Sequence, residues 1–247
     1  MIRAVEELSM NAWPALQTML YDGWVLRFAD GYTRRANSIN PIYPSGDDVH
    51  GKIQTCERLY RDRGLNVVFK MTSAVYPEAL DDVLAGQGYA VDAQTSVQIL
   101  DLDSMDKLPA QEATLAESLS DSWLVAFREM SGIPERRGPL LRQMLHSIAP
   151  ATCFASIRHG DQVIACGLGV VQAGFVGLYD IVTHPQARQQ GYGTQLVASI
   201  LAWARQRGAH TAYLQVMLNN APALRLYSKL GFSEIYQYWY RVKPVAG

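Results

Sequence analysis

Two stretches decide the fold: Thr183-His-Pro-Gln-Ala-Arg188-Gln-Gln-Gly191-Tyr-Gly193-Thr194, and further on Asn219-Asn220-Ala-Pro-Ala-Leu-Arg-Leu-Tyr227-Ser-Lys-Leu-Gly231-Phe232. The first carries a glycine loop between two patterned segments. Before it, Phe175–Thr183 reads as a strand that His184-Pro185 ends. After it, Leu196, Val197, Ile200, Leu201 and Ala204 recur at helical spacing from Gly191 to Gln206, and Gly208 stops that helix. Thr211–Leu218 is β-branched and aromatic enough for a strand, and Ala221–Leu230 is a helix opened by Asn220 and Pro222. Gly231-Phe232 turns the chain into a closing strand, Ile235–Val242. Upstream, Thr152–Arg158 and Gln162–Val171 form a strand pair around His159-Gly160-Asp161. A hairpin followed by β–α–β–α–β is an α/β layered domain.

Working outward, Asp121–Met130 and Gly138–Ile148 read as helices on either side of Gly132-Ile133-Pro134. Leu100–Gln111, which contains Lys107-Leu108-Pro109 and lacks periodicity, reads as a linker, so the expected domains are 1–105 and 112–247. The first half echoes the second at an offset of 144 residues: Arg61-Asp-Arg-Gly64 falls on Arg205-Gln-Arg-Gly208, and Asn66–Met71 on the strand from Thr211. Pro77 and Pro222 follow, then Gly88-Tyr89 and Gly231-Phe232. This points to a duplicated β/α unit, although any two β–α–β units share glycine-ended helices. Where the second half has its glycine loop, the first has Ile42-Tyr-Pro-Ser-Gly-Asp-Asp48, with two carboxylates and no Gly-x-Gly. Only the second half is expected to hold an anion.

Of the 247 residues, 49% are hydrophobic and 18% charged, which suits a packed core and excludes a largely disordered chain. With 22 Lys+Arg against 23 Asp+Glu and no basic run, no nucleic-acid partner is expected. Cys56, Cys153 and Cys166 are widely spaced, read as reduced thiols, and the five histidines show no metal-ligand spacing, so no metal is expected. Val163–Tyr179 is apolar, but four glycines and Gln172 make it two strands and a turn rather than a membrane span. Met1 to Leu20 lacks an uninterrupted apolar core, so no signal peptide and a cytoplasmic location are expected.

The loop Arg188–Thr194 has the chemistry of an anion site. Its glycines let backbone approach a ligand, the first N–H groups of the helix and its dipole favour phosphate, and Arg188 adds a cation. It has neither the Gly-Lys-Ser/Thr of an NTPase loop nor the third small residue of a dinucleotide fingerprint, since Leu196 stands there. By spacing alone, an ordinary glycine-assisted helix start reads equally well.

In order and separation, Thr183, Pro185, Arg188, Gly191 and Gly193, then Asn220, Ala223, Tyr227, Gly231 and Phe232, resemble the GNAT superfamily of acyl-CoA-dependent N-acyltransferases. The resemblance covers roughly Ser118 to Val242. Gly23-Trp24 and Gly31 to Pro41 look like the front of two-lobed GNAT proteins with a degenerate N-terminal copy. It implies a GNAT fold, a mixed and mostly antiparallel sheet flanked by helices, preceded by a partial GNAT-like α/β lobe. It implies acetyl-CoA as co-substrate, with the pyrophosphate on the backbone of Gln189, Gln190, Gly191, Tyr192, Gly193 and Thr194 beside Arg188. Pantetheine would follow Ile181, Val182 and Thr183, where a backbone N–H would polarise the thioester, and Asn220 would touch it. Tyr227 would protonate the departing thiolate.

The general base departs from the family pattern. Gln215 stands where related enzymes often place Glu, and this argues against the ribosomal-protein N-terminal acetylating branch. Gly177 and Tyr179 occupy the other such places, which leaves Asp180 as the carboxylate on that strand, either as base and substrate contact or as a structural acceptor. Asn220 is equally a helix cap, and Tyr227 equally a core aromatic. In the front lobe, Tyr32 to Asn40 is polar but strand-like. Arg35 and Asn37 would share a face there, either solvated or lining an acceptor pocket. Trp123 stands one turn from Phe127, as core or as pocket wall. The expected function is acetyl transfer from acetyl-CoA to a primary amine of a small molecule or peptide. The alternative is an acyl-CoA-binding sensor without turnover. Homodimer formation is left open.

Overall fold

Turn chemistry and helix caps set the elements of the chain, whose computed structural model describes residues 1–46, 48–105 and 113–244. Two compact units result, Met1–Ser96 with Tyr236–Gly247, and Val97–Ile235.

The first unit opens with α1 (Ile2–Ala12), the hairpin β1 (Gln17–Tyr21) and β2 (Trp24–Phe28), and the short β3 (Ile39–Asn40). There follow α2 (Val49–Arg61), β4 (Val67–Thr72), α3 (Leu80–Gly86) and the start of β5 (Ala90–Asp101). Its sheet runs β1-β2-β3-β4 and then β11 (Ser233–Lys243), which pairs antiparallel with β4 from Tyr238↔Thr72 to Lys243↔Val67. Trp24, Phe69, Tyr60 and Tyr89 fill its core. Arg27, buried on β2, donates to the carbonyls of Met10, Trp13 and Arg35, so its charge is satisfied by fixed dipoles.

The strand expected over Tyr32 to Asn40 is instead a 3-10 turn at Arg34–Ala36, and only Ile39–Asn40 is extended. The cause is Asn37. Its Oδ1 accepts from the N–H groups of Ala29 (2.7 Å) and Gly31 (2.9 Å), and its Nδ2 donates to the carbonyls of Thr33 (2.8 Å) and Ala29 (3.3 Å). An asparagine that bonds so many local backbone groups offers the chain an alternative to a ladder.

The second unit takes the end of β5, then β6 (Thr114–Ala116), α4 (Asp121–Met130), α5 (Gly138–His146), β7 (Ala151–His159), β8 (Gln162–Gln172) and β9 (Phe175–Thr183). It closes with α6 (Tyr192–Gln206), β10 (Thr211–Met217), α7 (Ala221–Lys229) and the start of β11. The strand order is β5-β10-β9-β8-β7-β6, antiparallel from β9 outward to β6, with β10 parallel to β9. The apolar stretch Val163–Tyr179 is the β8–β9 hairpin, whose two-residue turn has Ala173 and Gly174 at φ 51° and 78°. No helix among the described residues is long and apolar enough to cross a membrane. Leu196, Ile200 and Leu201 of α6 are fully buried, each contributing about 1.5–3 kcal/mol of apolar burial.

Two expectations about organisation need restating. Leu100 and Asp101 of the expected linker belong to β5, and Leu100 and Leu102 are core residues of the second unit, while 106–111 lie outside the described residues. The chain passes between units inside strands, at Ser96/Val97 in β5 and Ile235/Tyr236 in β11, rather than between 105 and 112. The internal repeat has a structural counterpart: β3-α2-β4-α3-β5 and β9-α6-β10-α7-β11 follow in the same order.

Candidate active site

The parallel pairing of β9 with β10 runs from Phe175↔Thr211 to Leu178↔Leu214, although both strands continue, to Thr183 and Met217. Asp180 explains the parting. It sits at φ 54°, left-handed for a residue with a Cβ, and the β8–β9 register shifts there, between Cys166 and Leu168. Such a bulge bends its strand and increases its twist. Beyond it β9 stays with β8, through Cys166↔Val182 and Ala165↔Thr183, and Ile181, Val182 and Thr183 line a cavity of about 790 Å³. Just before the strands part, the hydroxyls of Tyr179 and Tyr213 are 2.9 Å apart, both buried.

The glycine loop forms the far wall of this cavity. Gln189 and Gly191 are both left-handed, at φ 63° and 87°, an alternation that turns successive N–H groups into one concavity. The Gly191 carbonyl accepts from Thr194 (3.0 Å) and Gln195 (3.1 Å), so the N–H groups of Tyr192 and Gly193 lie ahead of the first helical acceptor. A Cβ at Gly193 would stand 2.8 Å from Leu226 Cδ1, which places the first turn of α6 against α7. Arg188 Nε donates to the Thr183 carbonyl (3.3 Å), fixing the guanidinium at the strand end.

The third wall is α7. Asn220 caps it, its Oδ1 accepting from the Ala223 N–H (3.3 Å), and also lines the cavity. Tyr227 lines the cavity too. Its ring packs edge-on against Phe232 at 5.7 Å, and burial pushes its phenol up to about 12, so it keeps its proton at physiological pH. No hydrogen bond to its hydroxyl is found among the described residues.

Arg188, Gln189, Gly191, Tyr192, Gly193 and Thr194 are thus gathered with Ile181–Thr183, Asn220 and Tyr227 round one cavity, inside one unit. Gln190 is on the same loop, but its side chain is turned to the Gln186 carbonyl (3.1 Å). Asp180 does not line the cavity; it is half-buried, and its charge adds to burial in raising the Cys166 thiol. Burial likewise pushes the Cys56 and Cys153 thiols up to about 12, so none of the three is a ready nucleophile.

Two expected substrate contacts are corrected. Trp123 is a core residue, stacked on Phe127 at 5.2 Å, with its indole N–H donating to the Ala155 carbonyl (2.9 Å). Asn37 is buried and spends its amide on the turn described above. Arg35, half-buried in the first unit, lies over the Trp13 ring at 5.7 Å. Sequence reasoning missed Ala187, Pro222, Arg225, Leu226 and Lys229 as lining residues. The last four recur at i, i+3, i+4 and i+7 along α7, a stripe that Tyr227, one or two residues off it, does not point to.

A strand that leaves its parallel neighbour beside a glycine loop, with a buried tyrosine across the gap, is the architecture of a GCN5-related N-acetyltransferase. Solved structures agree on the fold. A GCN5-related N-acetyltransferase from Kribbella flavida superposes with a TM-score of 0.71 at 16% identity, over 99% of this chain and 96% of its own. The family model described as "Probable histone acetyltransferase Rv0428c C-terminal" matches residues 1–241, and the chain belongs to that family of GNAT acetyltransferases. Among its relatives, the uncharacterised N-acetyltransferase YobR of Bacillus subtilis (strain 168) is 32% identical over 247 residues, 98% of each chain. The probable histone acetyltransferase Rv0428c of Mycobacterium tuberculosis (strain ATCC 25618 / H37Rv) is 25% identical over 230 residues, 87% of this chain and 66% of that one. The chain is accordingly an acyl-CoA-dependent N-acyltransferase of the GNAT type.

Proposed function

We propose that the protein transfers the acetyl group of acetyl-CoA directly to a primary amine of a small molecule. The observation that carries this reading is the single cavity running from the glycine loop, along the parted edge of β9, to Tyr227. Its loop suits a pyrophosphate: left-handed turns, free helical N–H groups and Arg188 all favour an anion. Its volume, about 790 Å³, is in the range of cofactor-sized sites.

In this reading the loop N–H groups and Arg188 hold the pyrophosphate, and Ile181 to Thr183 with Asn220 guide the pantetheine arm. A backbone N–H on the parted edge of β9 stabilises the charge on the carbonyl oxygen. The amine nitrogen bonds to the carbonyl carbon, the carbon–sulfur bond breaks, the amine proton leaves to solvent because Asp180 does not line the cavity, and Tyr227 gives its proton to the thiolate. No covalent enzyme intermediate is needed, because holding amine and thioester together supplies the orientation. A near-balanced charge, 22 cations against 23 anions, supplies no strong field for a lysine-rich tail and favours a small acceptor. Free, buried cysteines fit a reducing, cytoplasmic setting.

The test is thiol release from acetyl-CoA against amino acids, polyamines, aminoglycosides and short peptides, with the Arg188→Ala/Gly191→Ala variant as control. Amine-dependent release that the variant loses is the expected result. Tight CoA binding without release for any amine would instead support a sensor, and release confined to peptides would replace the small-molecule acceptor.

A further inference from the structure

The sheet of the first unit ends on a strand left open to solvent. β1 reads Gln17-Thr-Met-Leu-Tyr21, and its first four residues are exposed. Leu20 is 75% exposed and Met19 40%. Such an edge is normally blunted by a charge, a proline, a bulge or a very short strand. β6, the outer strand of the second unit, follows that rule: it has three residues and runs into Glu117, which meets Arg207. β1 has five residues, none charged and none proline, in unbroken register with β2. Backbone parity decides what this edge can take. The two-residue turn Asp22-Gly23, at φ 41° and 77°, makes Tyr21↔Trp24 a hydrogen-bonded pair. Alternation along the ladder then turns the N–H and C=O groups of Thr18 and Leu20, opposite Arg27 and Val25, outward. Arg27 agrees, since its N–H donates away from β1, to the Ser38 carbonyl (3.1 Å). The outward groups therefore lie symmetrically about Met19.

We propose that β1 is a homodimer edge, on which two copies of this chain pair their β1 strands antiparallel about Met19. In that register Thr18 bonds Leu20 of the second copy, Leu20 bonds its Thr18, and every outward backbone group of the strand is satisfied. Met19 meets itself on the two-fold axis, and Gln17 stands opposite Tyr21 of the second copy, on the same face. Gln17 borders a cavity of about 480 Å³ with Leu16, Phe28, Leu65 and Arg63, and that tyrosine would cover its mouth. Charge is complementary at both ends. Asp22, just past one end of the strand, comes to the end where the second copy carries Arg63. Arg63 is exposed and makes no ion pair among the described residues; it lies over the Phe28 ring and donates to the Leu59 carbonyl. Between the ends the strand has no charge with which to repel its twin. The contact is small, below the about 1,200 Å² of a standard interface, so the dimer forms by mass action at micromolar concentration and is not obligate. The inference is independent of the acyl-CoA reading.

The experiment is sedimentation equilibrium of the full chain, wild type and Leu20→Lys, across about 1–300 µM, a range that brackets a micromolar constant. It is joined to oxidative cross-linking of Met19→Cys and Gln17→Cys. Wild type is expected to pass from one chain to two over that range. Leu20→Lys should weaken the dimer at least about tenfold, because it removes two apolar contacts and sets two like charges near the axis. Met19→Cys should cross-link, since a non-hydrogen-bonded antiparallel pair holds its Cα atoms about 4.5 Å apart, within disulfide reach. Gln17→Cys should not, because its two copies stand four residues out of register, more than about 13 Å apart. The three native cysteines are buried and do not compete. All three substituted positions are exposed, so an unchanged melting temperature at high dilution shows that the variants are folded. A wild type that stays monomeric throughout overturns the proposal and leaves the edge to a different chain. A dimer that Leu20→Lys leaves intact overturns it by placing the contact elsewhere. Cross-linking through Gln17→Cys and not Met19→Cys overturns it by breaking the register.

Discussion

Replacing Tyr227 with Phe removes one oxygen and little else, which makes it the sharpest probe of the proposed chemistry. The ring is 8% exposed and its edge-on contact with Phe232 does not involve the hydroxyl. No hydrogen bond to that hydroxyl is found among the described residues, so the change should cost about 1 kcal/mol of stability or less. CoA affinity should hold too, because the loop, Arg188 and the β9 edge are untouched. The rate should not. Loss of a general acid typically costs at least about 100-fold, or about 2.7 kcal/mol on the barrier. With the phenol pushed up to about 12 by burial, Tyr227 keeps its proton throughout the usual assay range. The alkaline limb of the wild-type profile should therefore survive in the variant, displaced downward but not along the pH axis. Steady-state thiol release at saturating amine gives kcat, and calorimetry gives the CoA constant. A variant with wild-type kcat would refute the acid role, and one with weakened CoA binding would show the hydroxyl to be a ligand contact.

Asp180→Asn keeps shape but cannot take a proton; because Asp180 does not line the cavity, kcat in thiol release should stay near wild type at unchanged CoA affinity, and a fall of about 100-fold would make Asp180 the base after all. Gly191→Ala forces a Cβ into φ 87°, at a strain of about 1–2 kcal/mol; CoA binding by calorimetry should weaken at least tenfold, and wild-type affinity would show that the loop does not hold the ligand. In the first unit, Arg241 beside Asp81 holds its carboxyl below the ordinary range, with Trp239 as a second donor at 2.8 Å. A depressed carboxyl stabilises the fold above its unfolded value and loses that contribution as pH falls through the native one. Asp81→Asn should therefore lower urea stability by about 1–3 kcal/mol at pH 7, and the loss should shrink as acid protonates the native carboxyl; a loss that stays constant down the whole acid range would rule out the charge as cause.

Elements framed by local chemistry were legible in the chain, and elements set by distant partners were not. Phe175–Thr183 and Asp121–Met130 were read to the residue, since a Gly turn and a His-Pro stop frame one and Gly132-Ile133-Pro134 follows the other, whose start the Ser120 cap fixes in the structure. The anion loop was legible as chemistry because glycine spacing and Arg188 are local facts. The bulge at Asp180 was not, since nothing in a one-dimensional pattern marks an aspartate for left-handed backbone. That conformation is what parts β9 from β10, so the feature that makes the site was the least visible part of it. Trp123 was ambiguous for another reason: its neighbour Phe154 and its acceptor Ala155 come from β7, outside any helical window. The exchange of the last strands is non-local in the same way.

The two halves repeat one order of elements, but only the second has the glycine loop on which the proposed anion site rests. At the start of α6 the chain offers N–H groups and no carboxylate; at the start of α2 the cap is Asp48, whose Oδ1 already accepts the Gly51 N–H at 2.9 Å. A phosphate brought there would meet a negative charge where Gly191 presents backbone. One turn further, Lys52 is buried, its ammonium 3.0 Å from Asp22 Oδ2 and 4.2 Å from the Trp24 ring centroid. At the offset of 144 residues its counterpart is the apolar Leu196. The cation that could have attracted a ligand in the first unit is thus neutralised by the chain itself. Removing Asp48 would free one N–H group but restore neither the left-handed pair nor the parted strands, because β3 is only two residues long. The proposed anion binding needs loop, bulge and helix start together, and among its described residues the first unit has none of the three in the form the second has them.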